Sequence, residues 1–177
     1  MKKSIAILLC CCIIGISGFS QHPWELTGEY QHGFGKNYNV NILGPRYEVY
    51  SNKSSWSLGI TYTFSSQGTK GNIEKGSGIG VYAGYRYGLS YGISGDLFGG
   101  IRTAFTFSKD GNGKKYSLFT PSFETGYHYT SQDFGKGGVF TPFVSLGYDI
   151  KLNPGDQSKA GHEGIVVAPG MTIGYRF

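Results

Sequence analysis

From Ile165 to Phe177 the chain alternates with a period of two. Ile165, Val167, Pro169, Met171, Ile173, Tyr175 and Phe177 fall on one side; Val166, Ala168, Gly170, Thr172, Gly174 and Arg176 fall on the other. Successive strand side chains point to opposite faces. The segment therefore predicts a strand with one large apolar face and one small or polar face. The same period recurs upstream, predicting strands from Trp24 to Phe34, from about Val40 to Tyr50, and from Trp56 to Phe64. Four more run from Ile79 to Tyr87, Leu97 to Phe107, Phe119 to Tyr129 and Phe140 to Ile150. Turn-rich segments separate them, with longer or more polar loops expected at 65–76, 108–115 and 152–163 than at 51–54 and 88–91. Residues 35–39 are short, and 131–138 long, for that alternation.

The charges distinguish the two faces. By this parity the small face carries Glu25, Glu29, Arg46, Glu48, Arg86, Asp96, Arg102, Glu124, Asp149, Lys151 and Arg176. Within the same strand limits the large apolar face carries no charge. A soluble sheet buries its apolar face, whereas a barrel wall in lipid turns it outward and closes on its own backbone. A charge on the lipid side near the midplane costs about 2–4 kcal/mol, so its absence there is what a membrane wall predicts. The expected fold is all-β: an eight-stranded antiparallel up-and-down transmembrane β-barrel. Its nearly neutral lumen would hold a charge network built from the residues just named. Eight strands leave room for little more than side chains.

The termini and composition support export. Lys2 and Lys3 precede an apolar core from Ile5 to Ile16, and Gly18-Phe19-Ser20 suits cleavage before Gln21. The core is too short to span a bilayer as a helix. This predicts a signal peptide over 1–20 and a single barrel domain over 21–177. The three cysteines, Cys10 to Cys12, all lie in the signal, so the exported chain has no disulfide. Losing Lys2 and Lys3 lowers the formal net charge from +5 to +3, too weak to argue for nucleic acid. Aromatics gather near strand ends: Trp24, Tyr47, Trp56, Tyr85, Tyr175 and Phe177 at one end; Phe34, Phe64, Phe105, Phe107, Phe119 and Tyr148 at the other. Pro45, Pro121, Pro142 and Pro169 fit least well, because each removes a ladder hydrogen bond. They mark either bulges or misplaced strand limits.

With the signal, the alternating strands and Gly174-Tyr-Arg-Phe177, the chain resembles the small outer-membrane β-barrel proteins of the OmpA/OmpX type. The resemblance spans 21–177 and leaves no stretch for the peptidoglycan-binding domain of larger relatives. It implies the bacterial outer membrane, and it implies that Tyr175 and Phe177 form the signal read by the barrel-assembly machinery. Members differ in function, so the resemblance constrains location more than activity.

Candidate chemistry is sparse. His162-Glu163 with Asp156 and Ser158 suggests a hydrolytic or acyl-transfer site only weakly, because nothing orders a nucleophile beside a base. His32, on the lipid face, and His128, inward beside Glu124, are expected to be hydrogen-bonded barrel residues, and no metal-ligand spacing occurs. Asp110-Gly-Asn-Gly113 reads as a turn rather than a calcium loop. The glycines of 76–80 are expected to keep the lumen clear. A non-enzymatic monomer without cofactors is expected, acting in envelope integrity or surface interaction. Lys70, Lys75, Lys109, Lys114, Lys115 and Lys159 are candidates to meet lipopolysaccharide phosphates. The competing readings are a narrow channel, a lipid A-modifying enzyme and a soluble lipocalin-like carrier, whose wall would be polar outside and apolar inside.

Overall fold

All eight predicted strands form, and most continue past their apolar stripe. In the computed structural model, which describes residues 23–69, 72–89, 95–131, 137–152 and 162–177, they are β1 Trp24–Gly35, β2 Tyr38–Ser51, β3 Ser54–Thr69, β4 Asn72–Gly88, β5 Gly95–Asp110, β6 Lys115–Thr130, β7 Gly137–Lys151 and β8 Gly164–Arg176. Each pairs antiparallel with its neighbours in sequence, and β8 pairs with β1 to close the barrel. The proximal end carries Trp24 and Phe177; the distal end is opposite. Residues 1–20, the expected signal peptide, lie outside the described residues.

The strand extensions correct the expected loops. Residues 65–76 are mostly the paired ends of β3 and β4, joined at 70–71, and the 108–115 loop shrinks to a turn between Asp110 and Lys115. Three of the four distal connections are therefore short, and the expected long-short alternation does not hold. Backbone pairing continues where neither face needs to be apolar, so the ladder outlasts the period-two pattern. Two tight turns place Asn37 and Asn52 at positive φ, which asparagine tolerates better than most side chains.

The parity is as expected. Trp56, Ile79, Ile101, Phe107 and Ile165 are each exposed by more than half on the outer wall, whereas Glu25, Arg46 and Glu124 are almost fully buried inside. This is the inverse of a lipocalin-type wall.

The four prolines sit inside strands without bulges. In an antiparallel strand the N–H and C=O of one residue face the same neighbour, so proline disturbs one seam only. Pro45 keeps its place opposite Gly28 of β1, while β2–β3 pairing lapses between Leu43↔Tyr62 and Arg46↔Gly59 and resumes in the same register. Pro121 and Pro142 keep their partners Thr103 and Met171, and both lapses fall on the β6–β7 seam. Pro169 keeps Val144, and its lapse falls on the β8–β1 seam.

Candidate functional site

The proximal half of the lumen is filled by an interlocked set of charges. Arg46 Nε donates to Glu48 Oε2 at 2.8 Å, and its Nη1 donates to Glu29 Oε2 at 3.1 Å. Its Nη2 lies 3.6 Å from Glu124 Oε1. Arg86 Nε donates to Glu124 Oε1 at 2.6 Å and Nη1 to Glu48 Oε2 at 3.3 Å. Arg102 Nη1 donates to Glu29 Oε1 at 2.7 Å. Nearer the proximal mouth, Arg176 Nε donates to Glu25 Oε1 at 2.7 Å, and Tyr50 donates to Glu25 Oε2 at 2.9 Å. Four arginines thus meet four glutamates, and their formal charges cancel.

Neutral groups complete the set. Gln31 and Tyr82 donate to Glu29, and Ser55 donates to Glu48. The Arg102 guanidinium lies 3.5 Å over the Tyr82 ring, Arg86 lies 4.2 Å over Phe98, and Arg176 lies 4.4 Å over Tyr50. Cations stack favourably on aromatic faces, and most so where water is excluded. The forked guanidinium suits this multiple pairing better than an ammonium. An ion passing through would have to break several buried pairs, and stripping one partner from such a pair costs about 3–5 kcal/mol.

The structure brings together eight of the eleven predicted lumen residues and places the other three at the ends. Asp96 is half-buried and lines a small proximal cavity with Lys53 and His128. Lys151 is half-buried at the distal end of β7. Asp149 accepts from Thr120 at 2.6 Å and lies 3.6 Å from His162 Nδ1. His162 stacks on Tyr38 with centroids 4.5 Å apart. His128 is buried as expected, but it meets Glu25 (3.1 Å) and Thr141 (2.8 Å) rather than Glu124. Asp156 and Ser158 lie outside the described residues. Between the network and the distal mouth is a cavity of about 70 Å³, lined by Gln31, Thr61, Thr63, Val166 and Asp149 among others. That is room for a few water molecules.

Tyr82 and Tyr50 were not singled out by sequence reasoning. A readable signal exists for Tyr82: it is a large inward residue between inward glycines, Gly80 and Gly84. The glycine expectation holds at Gly76, where a Cβ would overlap the Tyr116 hydroxyl. The Asp110 carboxylate accepts from the Asn112 and Lys114 N–H groups at 2.9 and 2.8 Å, the signature of a turn. His32 bonds Asn41 at 2.9 Å.

The lysine expectation needs one correction. Lys75, Lys109 and Lys115 are not in loops; they stand on the outer face of β4, β5 and β6 at the distal end. The outer wall is therefore not charge-free, because these strands extend beyond the apolar band. Lys114 is exposed in the β5–β6 turn. Lys70 and Lys159 lie outside the described residues. Tyr175 and Phe177 are on the outer face, and Phe177 stacks on Trp24 with centroids 4.2 Å apart.

No family model matches the chain, and no curated protein sequence matches it. Among solved structures it is similar to Neisserial surface protein A, with a TM-score of 0.58 at 11% identity, covering 89% of this chain and 96% of that one. It is also similar to Ail, the attachment invasion locus protein of Yersinia pestis, in complex with the heparin analogue sucrose octasulfate. There the TM-score is 0.52 at 15% identity, covering 88% of this chain and 99% of that one. The chain thus has the fold of the small eight-stranded outer-membrane barrels.

Proposed function

We propose that this chain is an integral protein of the bacterial outer membrane, exported through a signal peptide cut after Ser20. It acts without catalysis or conduction, as a sealed barrel that supports the envelope or presents its distal ribbons to the surroundings. The observation that carries this reading is the neutral network of Arg46, Arg86, Arg102 and Arg176 with Glu25, Glu29, Glu48 and Glu124 inside an apolar outer wall. The names of the two structural neighbours, a surface protein and an attachment protein, support a surface role.

Cell fractionation, followed by electrophoresis with and without boiling, tests the location. Outer-membrane recovery with a heat-dependent mobility shift is expected. Soluble recovery without a shift would overturn the reading in favour of a carrier. Planar-bilayer recording tests the seal: a silent bilayer is expected, and steady unitary currents would put the channel reading first.

A further inference from the structure

Resting on that outer-membrane reading, we propose that the distal outer face of β4–β6 binds a phosphorylated glycolipid of the outer leaflet. Its phosphates meet Lys75, Lys109 and Lys115, and an acyl chain lies in the apolar groove below them. Among the described residues, these three lysines are the only charged side chains on the outer face of any strand. They gather on three adjacent strands. At similar height β2 and β3 carry Asn39, Asn41 and Ser66 instead, so solubility alone does not require the cluster.

Their register makes an anion the natural partner. Lys109 is directly opposite Lys115 across the β5–β6 ladder, and Ser77 is opposite Lys109 across β4–β5. Lys75 is one step further out, its carbonyl accepting from Gly111 N–H at 2.8 Å. Like charges directly opposite on one face repel. Among the described residues no outward acid relieves them: Glu74 and Asp110 point inward, and the exposed Glu163 lies beside β8, across the barrel. A phosphate bridging the ammonium groups turns the repulsion into attraction.

The floor argues for a lipid over a soluble anion. Tyr62, Ile79, Phe107 and Ser117 form the row below the lysines and line a groove of about 470 Å³. Ligand sites commonly span about 300–1,000 Å³. Ile79 and Phe107 are more than half exposed there. Three cations on three neighbouring strands, whose backbones lie about 4.8 Å apart, with Lys75 set one step further out, match a headgroup with more than one phosphate better than a single phosphodiester.

Native mass spectrometry of the detergent-purified full chain tests this, using diphosphoryl lipid A, phosphatidylglycerol and soluble sucrose octasulfate as probes. Wild type is expected to prefer diphosphoryl lipid A over phosphatidylglycerol. The K75Q/K109Q/K115Q variant should lose affinity on the order of a hundredfold, at roughly fivefold per lysine. The triple Lys→Arg variant should keep it. Phe107→Ser should weaken lipid binding and leave sucrose octasulfate binding unchanged. Lipid affinity indifferent to the lysine variant overturns the assignment. So does lipid affinity indifferent to Phe107→Ser with the sugar held at the lysines, which would reassign the cluster to soluble polyanions. Boiled and unboiled samples of each variant separate the two readings: a wild-type chain with no mobility shift overturns the barrel reading and this assignment with it. A shifted chain with unchanged lipid affinity overturns the assignment alone.

Discussion

The ring of Tyr82 fills the lumen space in front of Gly59, where an added Cβ would overlap the ring edge. That ring also carries the Arg102 guanidinium and donates to Glu29, so the glycine indirectly positions a charge pair. Gly59→Ala is expected to destabilise the barrel by about 1–3 kcal/mol through overpacking. In a Tyr82→Ala background the same change should cost markedly less, because the overlap is gone. Urea titrations of the folded band in vesicles, run as a double-mutant cycle, measure the coupling. Equal costs in both backgrounds would break the link between the two residues.

Glu124, like Glu48, is shared by Arg46 and Arg86. Replacing Glu124 with glutamine leaves the buried network with one positive charge in excess. A loss of about 3–5 kcal/mol is expected, the cost of unpairing a buried charge. The E124Q/R86M pair should recover part of it. Urea midpoints decide, and a single variant as stable as wild type would contradict the buried pairing.

Removing bulk rather than charge tests the seal. Arg46→Ala with Glu124→Ala keeps the formal charge balanced and deletes two side chains from the plug. Unitary currents are expected from the double variant in planar bilayers where wild type gives none. A silent double variant would mean that the seal lies elsewhere in the lumen.

Phe177 has two assigned roles that one comparison separates. It stacks on Trp24, and the resemblance to small outer-membrane barrels implies, as an expectation, a part in an assembly signal. Trp24→Ala removes the stack and keeps the signal; Phe177→Ala removes both. Both are expected to lose about 1 kcal/mol of stability from the aromatic pair. Only Phe177→Ala should lower the yield of folded barrel in the outer membrane. Equal yields would leave Phe177 a packing residue alone.

At the distal mouth, His162 is held by its stack on Tyr38 and its approach to Asp149. His162→Phe keeps the stack and loses the polar approach. His162→Ala loses both and should cost about 1 kcal/mol more. Similar urea midpoints for the two variants would show that the stack contributes nothing.

The parity of the strands was legible because lipid and lumen impose opposite demands on alternate residues, and Arg46, Glu124 and their partners obey them. Which acid meets which base was not legible, since Glu29 reaches Arg102 across the barrel only through the closed register. His128 was placed beside Glu124 by sequence proximity, but closure between β8 and β1 brings Arg176 and Glu25 to it instead. The ends of β3 to β6 were missed because no apolar stripe marks a ribbon with two polar faces. That miss hid Lys109 opposite Lys115, a pairing that appears only once a short turn is drawn between them. The prolines looked like errors because a sequence does not say which seam each one faces.

The three seams where pairing lapses, β2–β3, β6–β7 and β8–β1, divide the wall into a β1–β2 hairpin, a β3–β6 panel and a β7–β8 hairpin. Under mechanical load such a wall tears along its perforations. Pulled from Phe177 in a force experiment, β7 and β8 should leave the membrane together in one step, and the β3–β6 panel should hold longest.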